Sequence, residues 1–168
     1  NYYYIRASVN TLLNEMFITF QNAFILVGKV NAGPPATLNF TNANYASSVF
    51  KQTDSGALCS SVGTSATYMA YTYYKPNASP ADTYTHKLVL HNRVSATSVT
   101  IDLTDFFVHS TAIHPTLNKI YLLTHHGDLY VKDFTPGSPP SFVAGFSLIS
   151  TGFYLKFANL EVLDATTM

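Results

Sequence analysis

The sequence is short of cysteine, of charge and of long apolar runs, and each shortage removes a class of explanation. The single cysteine, Cys59, excludes an internal disulfide framework and any paired-cysteine metal or redox motif. It is expected as a small buried apolar residue. Charged residues make up 11% of the chain, against about 25% in an average soluble domain, and nine acids balance nine bases. Such a chain has no electrostatic footprint for nucleic acid or for an anionic membrane surface. Glu15, Gln21 and Asn22 interrupt the most apolar stretch, so no run reaches the ~18 apolar residues of a membrane helix, and no membrane insertion is expected. Nucleophile and phosphate motifs are missing: Gly145-Phe146-Ser147 lacks the second glycine of G-x-S-x-G, and there is no glycine-rich phosphate loop. The sequence opens at Asn1 with neither a methionine nor a basic-then-apolar leader, which reads as a processed chain or a section of a longer one.

What is present is β structure and repetition. The 168 residues suffice for one domain with a substantial core. Twelve Tyr and twelve Phe, with many Thr, Ser and Asn, point to a β-rich protein that is extracellular or held at a cell surface. Short runs of aromatic and β-branched residues, bounded by Gly, Pro, Asn or Asp, predict strands at Met16-Phe20, Phe24-Val30, Tyr68-Tyr74, Lys87-His91, Ser98-Leu103, Lys119-Thr124, Asp128-Phe134, Phe142-Leu148, Phe153-Phe157 and Leu160-Asp164. The fold class is therefore all-β.

Residues 5-39 align without a gap over 109-143 at an offset of 104, with Leu13 on Leu117, Asn14 on Asn118, Val27 on Val131, Gly33 on Gly137 and Pro35 on Pro139. Apolar character persists at Val9/Ile113, Met16/Ile120, Phe17/Tyr121, Ile18/Leu122 and Ile25/Leu129. This alignment overrides a 3.6-residue pattern over Val9-Phe20, because its partner holds His114-Pro115 where a helix would run. A further unit fits halfway: Tyr68-Met69-Ala70-Tyr71 lies 52 residues after Met16-Phe17-Ile18-Thr19 and 52 before Ile120-Tyr121-Leu122-Leu123. Its hairpin partner Lys87-Leu88-Val89-Leu90 is displaced by a loop over 75-82, and a fourth unit pairs 153-157 with 160-164. The chain divides into units at roughly 5-44, 57-104, 109-148 and 149-168, about 42 residues each, the period of propeller blades.

The run Ala112-Ile113-His114-Pro115-Thr116-Leu117-Asn118-Lys119-Ile120-Tyr121-Leu122-Leu123, followed by Gly127-Asp128-Leu129-Tyr130-Val131-Lys132-Asp133, resembles a blade of the YVTN/NHL/WD-like class of β-propellers. Pro115 and Asn118 set a turn between strands, and Gly127 supplies a tight hairpin with positive φ. The likeness is best over 109-134, fair over 5-39 and poor over 45-67 and 75-86. It implies about four propeller-like blades in a single domain, either a closed four-bladed ring or a section of a larger one. Asn1-Tyr2-Tyr3-Tyr4 would add the outer strand that closes the ring. The alternative fold is an immunoglobulin-like β-sandwich.

Functional signals are thin. All six histidines lie between 86 and 126, namely His86, His91, His109, His114, His125 and His126. No cofactor is expected; the place to look for a divalent metal is the hairpin loop with His125, His126 and Asp128. His114, before Pro115, reads as a turn residue. Asp102 and Asp105 near one strand end, and Asp133 and Asp164 at the ends of equivalent strands, read as acceptors of turn N–H groups. The propeller resemblance implies instead that such carboxylates line a channel and hold a divalent ion, as in lactonase-like members. Glycosylation sequons occur at Asn39-Phe40-Thr41 and Asn77-Ala78-Ser79. Tyr71, Tyr73 and Tyr74 are the candidate binding aromatics, suited to protein or sugar partners, with packing between blades as the structural counterpart. The expected function is a non-enzymatic structural or interaction module, binding protein or glycan partners or self-assembling. The alternatives are a metal-dependent, lactonase-like hydrolase and a fibre or pilus subunit whose residues 1-9 act as a donor strand.

Overall fold

The computed structural model describes residues 6–20, 24–31, 37–39, 49–51, 58–59, 62–76, 84–104, 107–152 and 160. Their regular structure is entirely β, in three antiparallel five-stranded sheets that follow one another along the chain. The first sheet holds β1 (Arg6–Asn10), β2 (Glu15–Phe20) and β3 (Phe24–Asn31), with β4 (Thr37–Asn39) and β5 (Val49–Lys51) both on the far side of β3. In the second, β6 (Leu58–Cys59) and β7 (Gly63–Thr64) share the edge of β8 (Tyr68–Pro76), followed by β9 (Tyr84–Asn92) and β10 (Thr97–Asp102). The third runs β11 (Val108–Ile113), β12 (Lys119–Thr124) and β13 (Leu129–Thr135), with β14 (Ser141–Phe142) and β15 (Ser147–Ser150) both on β13. The sandwich alternative expects two sheets; the described strands form three.

The 104-residue repeat is realised bond for bond between the first and third sheets. Glu15 faces Lys29 as Lys119 faces Asp133, and Val30 faces Leu38 as Phe134 faces Phe142. Asn14 and Asn118 both adopt left-handed backbone, at φ 51° and 52°, a conformation asparagine tolerates better than most residues. The carbonyl of each accepts the N–H of the third strand, from Val30 at 2.8 Å and from Phe134 at 3.1 Å. Gly127 supplies the expected positive φ, 86°. Residues 9-20, which carry a helical period, form two strands and their turn.

The second sheet corrects the register. Ser65 donates its N–H to the Tyr68 carbonyl at 2.8 Å, the bond that His114 and Lys119 make in the third sheet. Tyr68 therefore stands where Glu15 and Lys119 stand, one residue away from the position that even 52-residue spacing assigns. The cause is the turn: Ala66-Thr67 takes two residues where the other sheets take four. Side chains alternate along a strand, so a slip of one exchanges the faces. With the corrected phase, Phe17, Ala70 and Tyr121 are equivalent, as are Met16, Met69 and Ile120.

The packing then has one direction. Phe17 and Val27 of the first sheet cluster with Met69, Tyr71, Tyr73 and Val89 of the second. The opposite face of the second sheet, Tyr68, Ala70, Leu88 and Leu90, clusters with Ile113, Ile120, Leu122 and Phe134 of the third. The opposite face of the third, Ala112, Tyr121, Leu123 and Leu129, gathers Leu160. Each sheet thus lays its front, the Phe17-type face, on the next sheet's back, the Met16-type face. Polar groups fix the same order. Arg93, in the β9–β10 turn, donates to both Glu15 carboxylate oxygens at 2.9 Å and to the Ser65 carbonyl at 3.0 Å. In the next interface Asn92 donates to the Gly137 carbonyl at 2.8 Å, Gly137 N–H donates to the Tyr68 hydroxyl at 3.1 Å, and the Tyr68 and Phe134 rings meet edge-on.

The first strands of the sheets lie side by side. Val62 N–H donates to Ser8 Oγ at 3.2 Å, and Asn10 Nδ2 donates to the Thr64 carbonyl and hydroxyl. A Cβ on Gly63 would sit 2.5 Å from Ala112 Cα, so only glycine allows β7 to approach β11. On the third sheet, Leu160 N–H donates to Ser110 Oγ at 2.9 Å.

Two expectations on strand extent change. The single strand over Phe142-Leu148 is two, β14 and β15, because Lys132 Nζ, buried on β13, holds the Val143 and Gly145 carbonyls between them and lies 4.4 Å from the centre of the Phe146 ring. Burial lowers the Lys132 pKa from its ordinary value. Ser147–Ser150 pairs with β13 and so belongs to the third unit. The expected strands 153-157 and 160-164, and the segment 1-4, lie outside the described residues apart from Leu160.

Two stability outcomes test this packing. Gly63→Ala is expected to cost about 1–3 kcal/mol by overpacking against the β11 backbone, read as a lower melting temperature. Arg93→Met leaves the Glu15 carboxylate, 2% exposed, without its bidentate partner and is expected to cost about 3–5 kcal/mol. The double variant Glu15→Gln/Arg93→Met is expected to recover part of that loss in denaturant unfolding, and equal damage in single and double variants would contradict the pairing.

Candidate functional site

The described residues bring one group of rings together at the seam between the second and third sheets. Tyr74 on β8 and His86 on β9 face each other in the ladder and stack with centroids 5.7 Å apart. Phe107, just before β11, lies 4.6 Å from Tyr74 and 5.1 Å from His86. On its other side it meets His125 edge-on at 4.2 Å, and His125 in turn meets His109 at 5.1 Å. The Phe107 carbonyl accepts the His125 N–H at 2.8 Å, which fixes the β12–β13 turn against the start of β11. Five rings from four segments thus form one continuous aromatic and imidazole surface.

Desolvation by burial lowers the His86 pKa below its ordinary 6.5. His91, on the other face of β9 and bonded through Nδ1 to Ser98 Oγ at 2.7 Å, is lowered by burial and then by the nearby Arg93 charge.

The candidates read from the sequence fall as follows. Of the binding tyrosines, Tyr71 and Tyr73 are buried between the first and second sheets, and Tyr74 is in the ring cluster. Of the metal candidates, His125 joins the cluster while His126 is exposed in the same turn and Asp128 N–H donates to Thr124 Oγ1. Among the described residues no group of three His, Cys, Asp or Glu side chains is placed to hold a metal. His114 is a turn residue: its Nδ1 accepts the N–H groups of Thr116 and Leu117 at 3.2 and 3.1 Å. Asp133 pairs with Lys119 at 2.6 Å and Asp102 with Lys87 at 2.5 Å, so these carboxylates form exposed cross-strand ion pairs and not turn caps. Asn39 ends β4, Cys59 ends β6, and Asn77, Asp105 and Asp164 lie outside the described residues.

Sequence reading missed the cluster as a unit because His86, Phe107 and His125 are scattered along the chain and only the third-sheet turn carried a motif. It also missed the Glu15–Arg93 pair, whose partners are 78 residues apart. Comparison with known protein families, curated proteins and solved structures returns no match.

A lowered folded-state pKa means that the unfolded chain binds more protons between the two values, so stability rises with pH across that window. His86 and His91 therefore contribute fully above pH 6.5, and their contribution falls as pH drops toward and through the lowered values. The melting temperature is expected to decrease between about pH 7.5 and about pH 5, and His86→Gln is expected to flatten that decrease. An identical pH profile in the variant would remove His86 from the effect.

Proposed function

We propose that this chain is a section of propeller-like blades serving as a non-enzymatic interaction or structural module of an extracellular or surface assembly. One observation carries the reading: three consecutive antiparallel sheets stack front on back in chain order with their first strands side by side, which is how blades follow one another around an axis. The Leu160 N–H bond to Ser110 Oγ and the packing of Leu160 on the Ala112, Tyr121, Leu123 and Leu129 face support a fourth unit against the front of the third sheet. The proposed partners are proteins or glycans, met through exposed turns and the ring cluster around Phe107. Low charge favours such contacts over recognition of nucleic acid.

The purified chain is expected to carry less than one divalent ion per molecule by elemental analysis and to leave lactone and ester substrates unhydrolysed. A stoichiometric metal together with turnover would replace this reading by a lactonase-like hydrolase.

A further inference from the structure

The three sheets do not end alike. On the far side of β3 and of β13 lie two short strands each, β4 with β5 and β14 with β15, of two to four residues. On the far side of β9, β10 runs unbroken in register from Thr97 to Asp102, and among the described residues no strand lies beyond it. Natural sheet edges are blunted by shortness, proline, lysine or a bulge, and β10 has none of these. Its one charge, Asp102, is tied to Lys87.

The Leu103 N–H bond to the His86 carbonyl, at 2.8 Å, continues the β9–β10 ladder and sets which backbone groups face outward. Hydrogen-bonded pairs alternate along an antiparallel ladder, so Thr97, Val99 and Ile101 bond to β9 while the N–H and C=O groups of Ser98, Thr100 and Asp102 point away from the sheet. Those three residues are also exposed, whereas Val99 and Ile101 lie half-buried against the cluster beneath the third sheet.

The residues of this edge select its occupant, because the strand is complementary to itself. Laid antiparallel on a second copy about a two-fold axis through Thr100, it sets Thr100 on Thr100, Ser98 on Asp102 and Val99 on Ile101. Hydroxyl meets hydroxyl, hydroxyl meets carboxylate, and two β-branched apolar residues meet on the inner face, all of them combinations that stabilise cross-strand pairs. This register alone gives every outward N–H and C=O of the strand a partner. Centring on Asp102 would set carboxylate on carboxylate, and centring on Ser98 would run into the left-handed turn residue Ala96, at φ 56°. We propose that the chain forms a two-fold dimer by edge-to-edge antiparallel pairing of β10, which joins the two second sheets into one. This inference needs only the second sheet and stands apart from the propeller reading.

Sedimentation of the intact chain over a concentration series tests it. The wild type is expected to reach twice 18.5 kDa. Thr100→Lys sets two ammonium groups opposite each other on the axis, and Thr100→Pro removes an outward N–H without breaking a bond to β9. Each is expected to give the single mass with unchanged far-ultraviolet circular dichroism. Ser98→Lys, placed opposite Asp102 of the second copy, is expected to lower the dissociation constant roughly twofold to fivefold. Thr100 is exposed and accepts lysine without unfolding, so the test survives if Thr100→Pro fails to fold. A wild-type monomer at all concentrations, as when another segment of the same chain covers the edge, overturns the proposal. So does a dimer that persists in Thr100→Lys, or one that Ser98→Lys weakens.

Discussion

Burial of both faces of the second sheet is the constraint on which the other contacts depend. In a sheet with one wet face polarity alone fixes the register, but β8 is apolar on both sides, with Met69 and Tyr71 against the first sheet and Tyr68 and Ala70 against the third, so turn geometry and polar contacts must set its phase. Moving β8 by one residue would exchange these sets and put Tyr68, with the hydroxyl that receives Gly137, on the wrong side. The two-residue turn at Ala66-Thr67, held by Ser65, sets the phase. The glycine approach at Gly63, the Glu15–Arg93 pair and the Asn92–Gly137 bond all presuppose it.

Polar groups in the interfaces act as locators more than as sources of stability. Glu15 is buried and bidentate with Arg93, a pairing whose desolvation cost offsets much of its attraction, yet whose disruption strands a charge. Apolar clusters of similar composition do not by themselves say which sheet follows which. The bidentate pair that reaches from Glu15 on β2 to Arg93 in the β9–β10 turn does. The same position changes sign in the third sheet, where Lys119 faces Asp133 as Glu15 faces Lys29, so charge complementarity across the second and third strands is kept while the residues are exchanged.

Much of this fold was legible where the repeat was strict. Residues 119-124 matched β12 at both ends, and the turn at Asn118 was visible because a left-handed asparagine leaves a sequence mark, which the alignment repeats at Asn14. Neither β1 nor β11 was among the expected strands, and β11, with His109, Ser110 and Thr111, has too little apolar alternation to be read alone. The second unit was placed one residue out because tyrosine, methionine and alanine at 68-71 suit either face of a doubly buried strand, so composition carried no phase. The ring cluster was legible only in Tyr74 and His125, each read separately. Its other members meet through strand pairing that no local pattern encodes.

The central claim is the phase of β8, and the most direct measurement is a set of nuclear Overhauser contacts in a methyl- and aromatic-labelled sample. The structure requires contacts from the Met69 methyl and Val89 to the Phe17 ring, and from Leu88 and Leu90 to Ile120 and Leu122. Contacts from Phe17 to Ala70, Leu88 and Leu90, with Met69 and Tyr71 turned toward Ile120, would mean that even 52-residue spacing holds and that the front-on-back order is wrong.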